Sequence, residues 1–120
     1  MLEIIEKRKQ KARAKNVIPI LGSITNPNLP EEGVDVVLIV DAYHEFSNPR
    51  EMMENIVRAL RPGGRLFLIE YKGEDAGVAK SPLHKMTAVQ VRKEMKAVGL
   101  NWRGTEIYLP EQHFMIFEKP

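Results

Sequence analysis

The feature that most constrains the fold is one apolar run, VDVVLIV, which spans Val34–Val40 and then turns polar. Apart from Asp35 near its start, the run consists of Val, Leu and Ile, and such residues favour β-strands. A run this continuous is typical of a strand covered on both faces, as in a parallel sheet flanked by helices. The sequence therefore predicts an α/β layer fold, with the titratable segment DAYHEF, residues 41–46, at the end of a buried strand.

The size and composition indicate one domain. The chain has 120 residues, of which 43% are hydrophobic and 28% charged, enough for one core. Its longest apolar run falls well short of the roughly 18 residues that a membrane span needs. The basic N-terminal segment also lacks the apolar centre of a secretory signal. We therefore expect a cytoplasmic chain with no membrane partner.

Metal chemistry is not expected from the sequence. The chain contains no cysteine, which removes disulfides, thiolate catalysis and cysteine-ligated metals. Its three histidines, His44, His84 and His113, are too far apart along the chain to show a short metal-ligand spacing. We therefore expect no metal ligands.

The positive charge is concentrated at the N-terminus. Residues 1–15 contain six Lys or Arg and two Glu, although the whole chain carries a net charge of only +2. A basic segment can contact nucleic acid, but this one has no aromatic residue for base stacking and equally suits the solvated face of a helix. We expect no nucleic-acid partner.

Capping signals mark two helices that follow the basic N-terminal segment. In SNPREMMENIVRALRPGG, Asn48 is the expected N-cap, Pro49 the first helical residue and Gly63 the C-terminal cap. In TAVQVRKEMKAVGL, Thr87 begins a capping box and Gly99 stops the helix.

Strand signals alternate with these helices. Val17–Ile20 is a short edge-strand candidate interrupted by Pro19, and RLFLIE, residues 65–70, is a second buried strand. Strand, helix and strand together predict a parallel crossover. The final segment TEIYLPEQHFMIFEKP predicts an antiparallel hairpin joined at Pro110 and Glu111, and Trp102 before it is expected in the core.

The polar ends of the two buried strands are expected to share one crevice. Ligands of open α/β sheets bind outside the carboxyl ends of the strands, so residues 41–45 and 70–72 should line it. A carboxylate beside His44 would fix its tautomer for acid–base chemistry, although His44 could equally bond only to its own loop. The loop of about sixteen residues after Glu70, with Tyr71 and His84, is either a lid over the substrate or a plain surface loop.

Two motifs with fixed spacing carry a resemblance to a known family. DVVLIVDAYHEFSNP followed by RALRPGGRLFLIE resembles class I S-adenosylmethionine-dependent methyltransferases, close to methyltransferase type 11. The resemblance implies a three-layer Rossmann-like fold with a mostly parallel sheet and a C-terminal antiparallel hairpin. It covers residues 1–120 as a single partial domain that lacks the first two strands and the glycine-rich cofactor loop.

The resemblance also implies a function. It predicts methyl transfer from S-adenosylmethionine to a small-molecule acceptor, impaired or dependent on a partner because the glycine-rich loop is missing. The alternative is a non-catalytic methyltransferase-like interaction module. The positions that match the family's cofactor site are Gly22, Ser23, Ile24, Asp41 and Ala42, and those that face its substrate, as candidate catalytic residues, are Tyr43 and His44.

A partial domain would leave strand edges exposed. Without the first two strands, Val34–Val40 loses a neighbour, and exposed apolar edges invite pairing. We therefore expect either that Val17–Ile20 moves in beside Val34–Val40 or that two chains associate as a homo-oligomer through these edges.

Overall fold

A computed structural model describes residues 1–78 and 80–120. Its helices are α1 (Leu2–Ala12), α2 (Pro49–Ala59) and α3 (Ala88–Ala97), with short 3₁₀ turns at Tyr43–Glu45 and Pro82–His84. Its strands are β1 (Val34–Val40), β2 (Leu60–Lys72), β3 (Lys85–Met86), β4 (Asn101–Glu106) and β5 (Gln112–Glu118). None of these helices is both long and apolar enough to cross a membrane.

The strands form one mixed sheet in the order β1-β2-β5-β4, with β3 beside the end of β2. β1 and β2 are parallel and are joined through α2, which confirms the predicted crossover. The predicted antiparallel C-terminal hairpin is also confirmed, but its first strand, β4, lies earlier than predicted, since residues 107–109 are not a strand. The prediction of a mostly parallel sheet is wrong: β5 returns from the hairpin to lie antiparallel beside β2, so two of the three long ladders are antiparallel.

The core lies on one face of this sheet. α2 and α3 bury Met53, Ile56, Val91 and Met95 against it. The strands contribute the alternate residues that point to that face, which are Ile39, Leu66, Leu68, Met115 and Phe117. Because the side-chain period of a strand is two, the residues between them point to the opposite face.

The opposite face is largely open in the part of the chain that the structure describes. On β1, Val36, Leu38 and Val40 remain 54%, 60% and 48% exposed. α1 buries none of its residues and so does not complete a layer there. The resemblance predicts three layers, a sheet between two layers of helices. The described residues form the sheet and one of these helical layers, α2 and α3.

Val17–Ile20 is not a strand, so its prediction as one is wrong. Residues 14–33 contain no helix or strand, and Pro19 removes a backbone donor that a ladder would need. This segment therefore does not move in beside β1, whose only partner among the described residues is β2. Association of two chains through that edge stays a prediction.

The first capped helix differs from its prediction at its C-terminal end. α2 begins at Pro49 as expected, although the Asn48 side chain makes no capping hydrogen bond. The helix ends at Ala59, not at Gly63. Gly63 instead lies within β2 at a φ of 82°, where its N–H donates to the Lys119 carbonyl at 2.8 Å. The positive φ that favours glycine at this position therefore belongs to the irregular start of β2 and not to a helix cap.

The second capped helix is confirmed at its N-cap and at its stop, but the Gln90 side chain donates to Glu94 and no bond from it to the Thr87 N–H is found among the described residues. Thr87 Oγ1 accepts from the Gln90 N–H at 3.2 Å, and Gly99 follows the helix at a φ of 89°. Trp102, in contrast, was expected in the core and is 43% exposed. It stacks under the Arg92 guanidinium, 4.0 Å from the ring centroid, on the outer side of α3.

Candidate functional site

The carboxyl ends of β1 and β2 meet, as the sequence predicts. Val40 pairs with Ile69, and the Asp41 N–H donates to the Ile69 carbonyl at 2.8 Å. The chain then turns into the 3₁₀ segment Tyr43–Glu45, which lies directly above the end of β2. The predicted contact between residues 41–45 and the end of β2 is thus confirmed, whereas residues 70–72 are not among the walls of the cavity beside them.

His44 and Glu70 form a buried pair in this crevice. His44 Nδ1 lies 2.7 Å from Glu70 Oε2, and the His44 backbone N–H donates to Glu70 Oε1 at 3.0 Å. Their side chains are only 7% and 1% exposed. Since a carboxylate accepts hydrogen bonds, it fixes the imidazole proton on Nδ1 and leaves the lone pair of Nε2 free to accept.

His84 and Glu45 face that Nε2 atom. His84 Nδ1 lies 3.1 Å from His44 Nε2, with the two rings at 83° to each other. Glu45 Oε1 lies 3.7 Å from the same nitrogen. Because Glu70 leaves His44 Nε2 as an acceptor, His84 Nδ1–H is the donor. The loop after β2 therefore does reach the crevice.

Tyr43 lies at the buried side of the crevice. Its hydroxyl donates to Glu94 Oε1 on α3 at 2.7 Å, and the residue is 3% exposed. Burial, followed by the hydrogen bond to the Glu94 carboxylate, raises the pKa of Tyr43 well above its ordinary value of 10.0. The phenol therefore stays protonated at neutral pH, where it can orient a neighbour but cannot act as a base.

A cavity of about 300 Å³ opens beside these residues. Its walls include Tyr43, His44, Phe46, Leu83, Met86 and Glu94. This mixture of apolar walls with a few polar groups is typical of a site for a small organic molecule. A larger cavity, of about 500 Å³, lies between α3 and β4 and includes none of the crevice residues.

Asp41 is held rigidly at the end of β1. Gln112 Nε2 lies 2.9 Å from Asp41 Oδ1 and 2.7 Å from Asp41 Oδ2. The backbone of Asp41 has a φ of 50°, a left-handed conformation that Asp and Asn tolerate better than most residues. Its carboxylate keeps further lone pairs with which to accept hydrogen bonds from a ligand.

The turn Gly22–Ile24 lies on a separate loop. Ser23 closes this turn, since its N–H donates to the Asn26 carbonyl at 2.7 Å. Asn55 on α2 holds the loop by donating to the Thr25 carbonyl at 2.8 Å. Among the residues described, no hydrogen bond joins this turn to Asp41 or Ala42, so a shared cofactor role for the five positions stays a prediction.

Glu74 anchors the loop that carries His84. Its Oε1 is hydrogen-bonded to Nε2 of His113, a buried residue of β5. Its Oε2 accepts a hydrogen bond from the Ala88 N–H at 3.0 Å. Partial burial alone would raise the pKa of Glu74, but the hydrogen bonds from Ala88, its own backbone and His113 lower it below the ordinary 4.5. The charged form of Glu74 is therefore the one that the fold stabilises.

Glu74→Gln is expected to destabilise the chain in a pH-dependent way. Because the folded pKa lies below 4.5, the carboxylate adds stability above pH 4.5, and this is lost as the pH falls through the folded value. Glu74 is 46% exposed, so solvent screening limits the effect to less than about 1 kcal/mol. Urea unfolding of both proteins from about pH 7 to about pH 3.5 measures it. A difference that stays constant over this range would contradict the expectation.

Three partners in the site had no signal strong enough to identify them from sequence. Glu70 was expected only as a crevice-lining strand end, not as the partner of His44. Glu94 and Gln112 reach Tyr43 and Asp41 across 51 and 71 residues of chain, respectively. The polar Glu94 within the apolar stripe of α3 is the one visible hint, because a polar side chain near a core needs a partner.

The fold and the crevice define an α/β protein of the Rossmann-like methyltransferase class. A family model described as a methyltransferase domain, Methyltransf_11, matches residues 1–68. Since this is more than half of the chain, the chain belongs to that methyltransferase family, and the resemblance stated from the sequence is confirmed.

Individual proteins support the same conclusion. The phthiotriol/phenolphthiotriol dimycocerosates methyltransferase of Mycobacterium tuberculosis is 28% identical over 100 residues, which are 78% of this chain and 37% of that protein. The crystal structure of a SAM-dependent methyltransferase from Aquifex aeolicus superposes with a TM-score of 0.87 at 19% identity, over 97% of this chain and 62% of that one. The crystal structure of the trans-methyltransferase CalH in complex with SAH superposes with a TM-score of 0.78 at 16% identity, over 100% of this chain and 41% of that one.

These comparisons confirm the α/β methyltransferase fold and the cofactor of the family, S-adenosylmethionine. The chain spans little more than a third of the length of the curated mycobacterial relative and under two thirds of the Aquifex structure. The structural matches are below 25% identity and therefore show the fold, whereas the acceptor has to be argued from the site.

Proposed function

We propose that this chain forms the acceptor side of an S-adenosylmethionine-dependent methyltransferase that acts on a small molecule through an ionisable O–H or N–H. The observation that carries the proposal is the buried His44–Glu70 pair, joined at 2.7 Å, at the carboxyl ends of two parallel strands. A carboxylate-oriented imidazole beside a largely apolar cavity suits removal of a proton from a bound nucleophile.

His44 is the proposed catalytic base. When bound, the cofactor supplies a methyl group on a sulfonium leaving group. The acceptor would hydrogen-bond to His44 Nε2 in place of His84, which lies on an exposed turn. Its proton would pass to that nitrogen while its lone pair takes the methyl group and the electron pair of the broken carbon–sulfur bond stays on sulfur. Glu70 accepts from Nδ1 throughout and stabilises the imidazolium. Tyr43 stays protonated and shapes the buried wall, so its part is to position the acceptor.

The residues present fit part of a cofactor site. Asp41 offers a rigid carboxylate at the end of β1, next to Ala42, and Gly22–Ile24 form an exposed turn for the adenine side. These segments contain a single glycine, Gly22, and no glycine-rich loop of the kind that approaches the methionine moiety in this family. We propose that the chain alone is therefore impaired in methyl transfer or needs a partner that supplies such a loop.

Titration calorimetry of the purified chain with S-adenosylmethionine and S-adenosylhomocysteine tests the cofactor part. We expect saturable but weak binding that Asp41→Asn reduces, since Asn keeps the left-handed backbone while removing the charge. Asp35→Asn is the matched control, because Asp35 is 75% exposed and pairs with Arg61 away from the crevice. Absence of heat from a folded sample, or equal losses in both variants, would contradict this part of the proposal.

We also propose that two copies of the chain associate through the outer edge of β1. That edge is unpaired within the described residues, and beside it β1 exposes three apolar side chains on the open face of the sheet, Val36, Leu38 and Val40. An exposed apolar edge strand is a template for pairing with another strand, and a second copy offers the same edge.

A further inference from the structure

We propose that His44, His84 and Glu45 bind a divalent transition-metal ion, with zinc the best match. The sequence predicted no metal site, because 40 residues separate the two histidines along the chain. The fold removes that separation: one ligand atom from each of the three residues lies within 4.8 Å of the others. The proposal is independent of methyl transfer and does not require that the chain bind S-adenosylmethionine.

The distances suit a tetrahedral ion. With zinc–nitrogen bonds of about 2.0–2.1 Å, two ligand nitrogens at the tetrahedral angle lie about 3.3 Å apart. His44 Nε2 and His84 Nδ1 are 3.1 Å apart, so only a slight separation of the two rings is needed. Glu45 Oε1 lies 3.7 Å from His44 Nε2 and within 4.8 Å of the His84 ligand atom.

Both histidines can offer an unprotonated ring nitrogen to the metal ion without a net loss of protons from the protein. Glu70 already holds the proton of His44 on Nδ1, which leaves Nε2 as a ligand atom. Such a carboxylate behind a ligating histidine orients the ring and is a recurrent feature of metal sites. His84 must move its proton from Nδ1 to Nε2, and because His84 is exposed, water can carry that proton.

The ligand set and its exposure indicate which ion would bind. Two imidazoles and one carboxylate favour zinc and neighbouring transition ions over Mg²⁺ or Ca²⁺, which prefer oxygen ligands. Glu45, with a side chain 66% exposed, leaves an entry path from solvent. Three protein ligands leave a fourth position open, as in sites that bind a water or a substrate atom.

An ion at this site would compete with proton transfer. Both use the lone pair of His44 Nε2, so the histidine cannot ligate a metal and act as a base at the same time. This consequence, unlike the metal binding itself, rests on the proposed function: a bound ion would act as a brake on the base.

Zinc titration of the untagged chain, followed by calorimetry and by the visible absorption of Co²⁺ as a substitute ion, tests the proposal. We expect one ion per chain and a tetrahedral Co²⁺ spectrum, with no binding of Mg²⁺ or Ca²⁺ in the same range. His84→Ala and Glu45→Gln should each weaken Zn²⁺ binding by at least about tenfold. Both residues are exposed, so these variants should fold.

Glu54→Gln is the matched control, because Glu54 is an exposed carboxylate on α2 that pairs with Arg50 outside the cluster. Thermal unfolding without metal verifies that all variants are folded. Absence of Zn²⁺ binding to the wild-type chain, binding unchanged in His84→Ala and Glu45→Gln, or one ion per two chains would overturn the three-ligand site. Because the readout is metal binding alone, its result is separable from the calorimetry with S-adenosylmethionine.

Discussion

Glu70→Ala is expected to lower the free energy of unfolding by about 3–5 kcal/mol. The Glu70 side chain is 1% exposed and accepts two hydrogen bonds from His44, one from its ring and one from its backbone. Its removal leaves both donors without an acceptor in a buried place, and each bond to a charged group contributes about 1.5–3 kcal/mol. Urea unfolding followed by circular dichroism gives the difference. A loss below about 1 kcal/mol would mean that the cost of burying the carboxylate offsets its bonds.

Glu70→Gln is the control that separates stability from chemistry. The amide oxygen can accept from the His44 backbone N–H, while its NH₂ group donates to Nδ1, so most of the stability should be retained. The imidazole proton must then move to Nε2, the wrong tautomer for a base or a metal ligand, as is known for the equivalent change in serine proteases. Nitrogen chemical shifts of the His44 ring would show this exchange. An unchanged tautomer would contradict the proposed role of Glu70.

Leu38→Lys is expected to weaken association of two chains by at least about 100-fold. Leu38 is 60% exposed in the middle of β1, the strand at the edge of the described sheet. Lysine on an edge strand opposes pairing, and in a two-fold interface each substitution is present twice, so two losses of about 1.4 kcal/mol suffice. Sedimentation velocity over a range of protein concentrations measures the association.

Ile107→Lys provides the matched control for this change. Ile107 is 89% exposed and directly follows β4, which lies at the opposite edge of the sheet from β1. The same change in charge at Ile107 should therefore leave the association intact. A wild-type chain that stays monomeric at all concentrations, or equal weakening in both variants, would exclude the edge of β1 as the interface.

Local signals predicted the elements whose boundaries depend on neighbours in sequence. The continuous run Val34–Val40 forms β1 with the predicted limits, and Thr87 and Gly99 bound α3 as a cap and a stop. Gly63 misled the prediction because a glycine after a helix suits both a cap and an irregular strand, and only the contact with Lys119 distinguishes them.

In the candidate site, too, local sequence signals predicted some residues and could not identify their partners. Asp41, Tyr43 and His44 could be placed at a ligand-binding edge because the end of a buried strand is recognisable in one segment. The partners Glu94 and Gln112 could not be identified, and His84 could be placed only on a loop near the site. All three reach the site from elements whose packing no local pattern records.

The sequence by itself determined the family, the alternation of strand and helix, and the crevice at the carboxyl ends of β1 and β2. These follow from side-chain periodicity and capping, which act over a few residues. The tertiary structure alone decided that β5 lies antiparallel beside β2, that Trp102 is exposed, and that His44 meets Glu70 and His84. These depend on which distant segments pack together, because the free energy of burial is shared by the whole core and is not encoded in any one stretch.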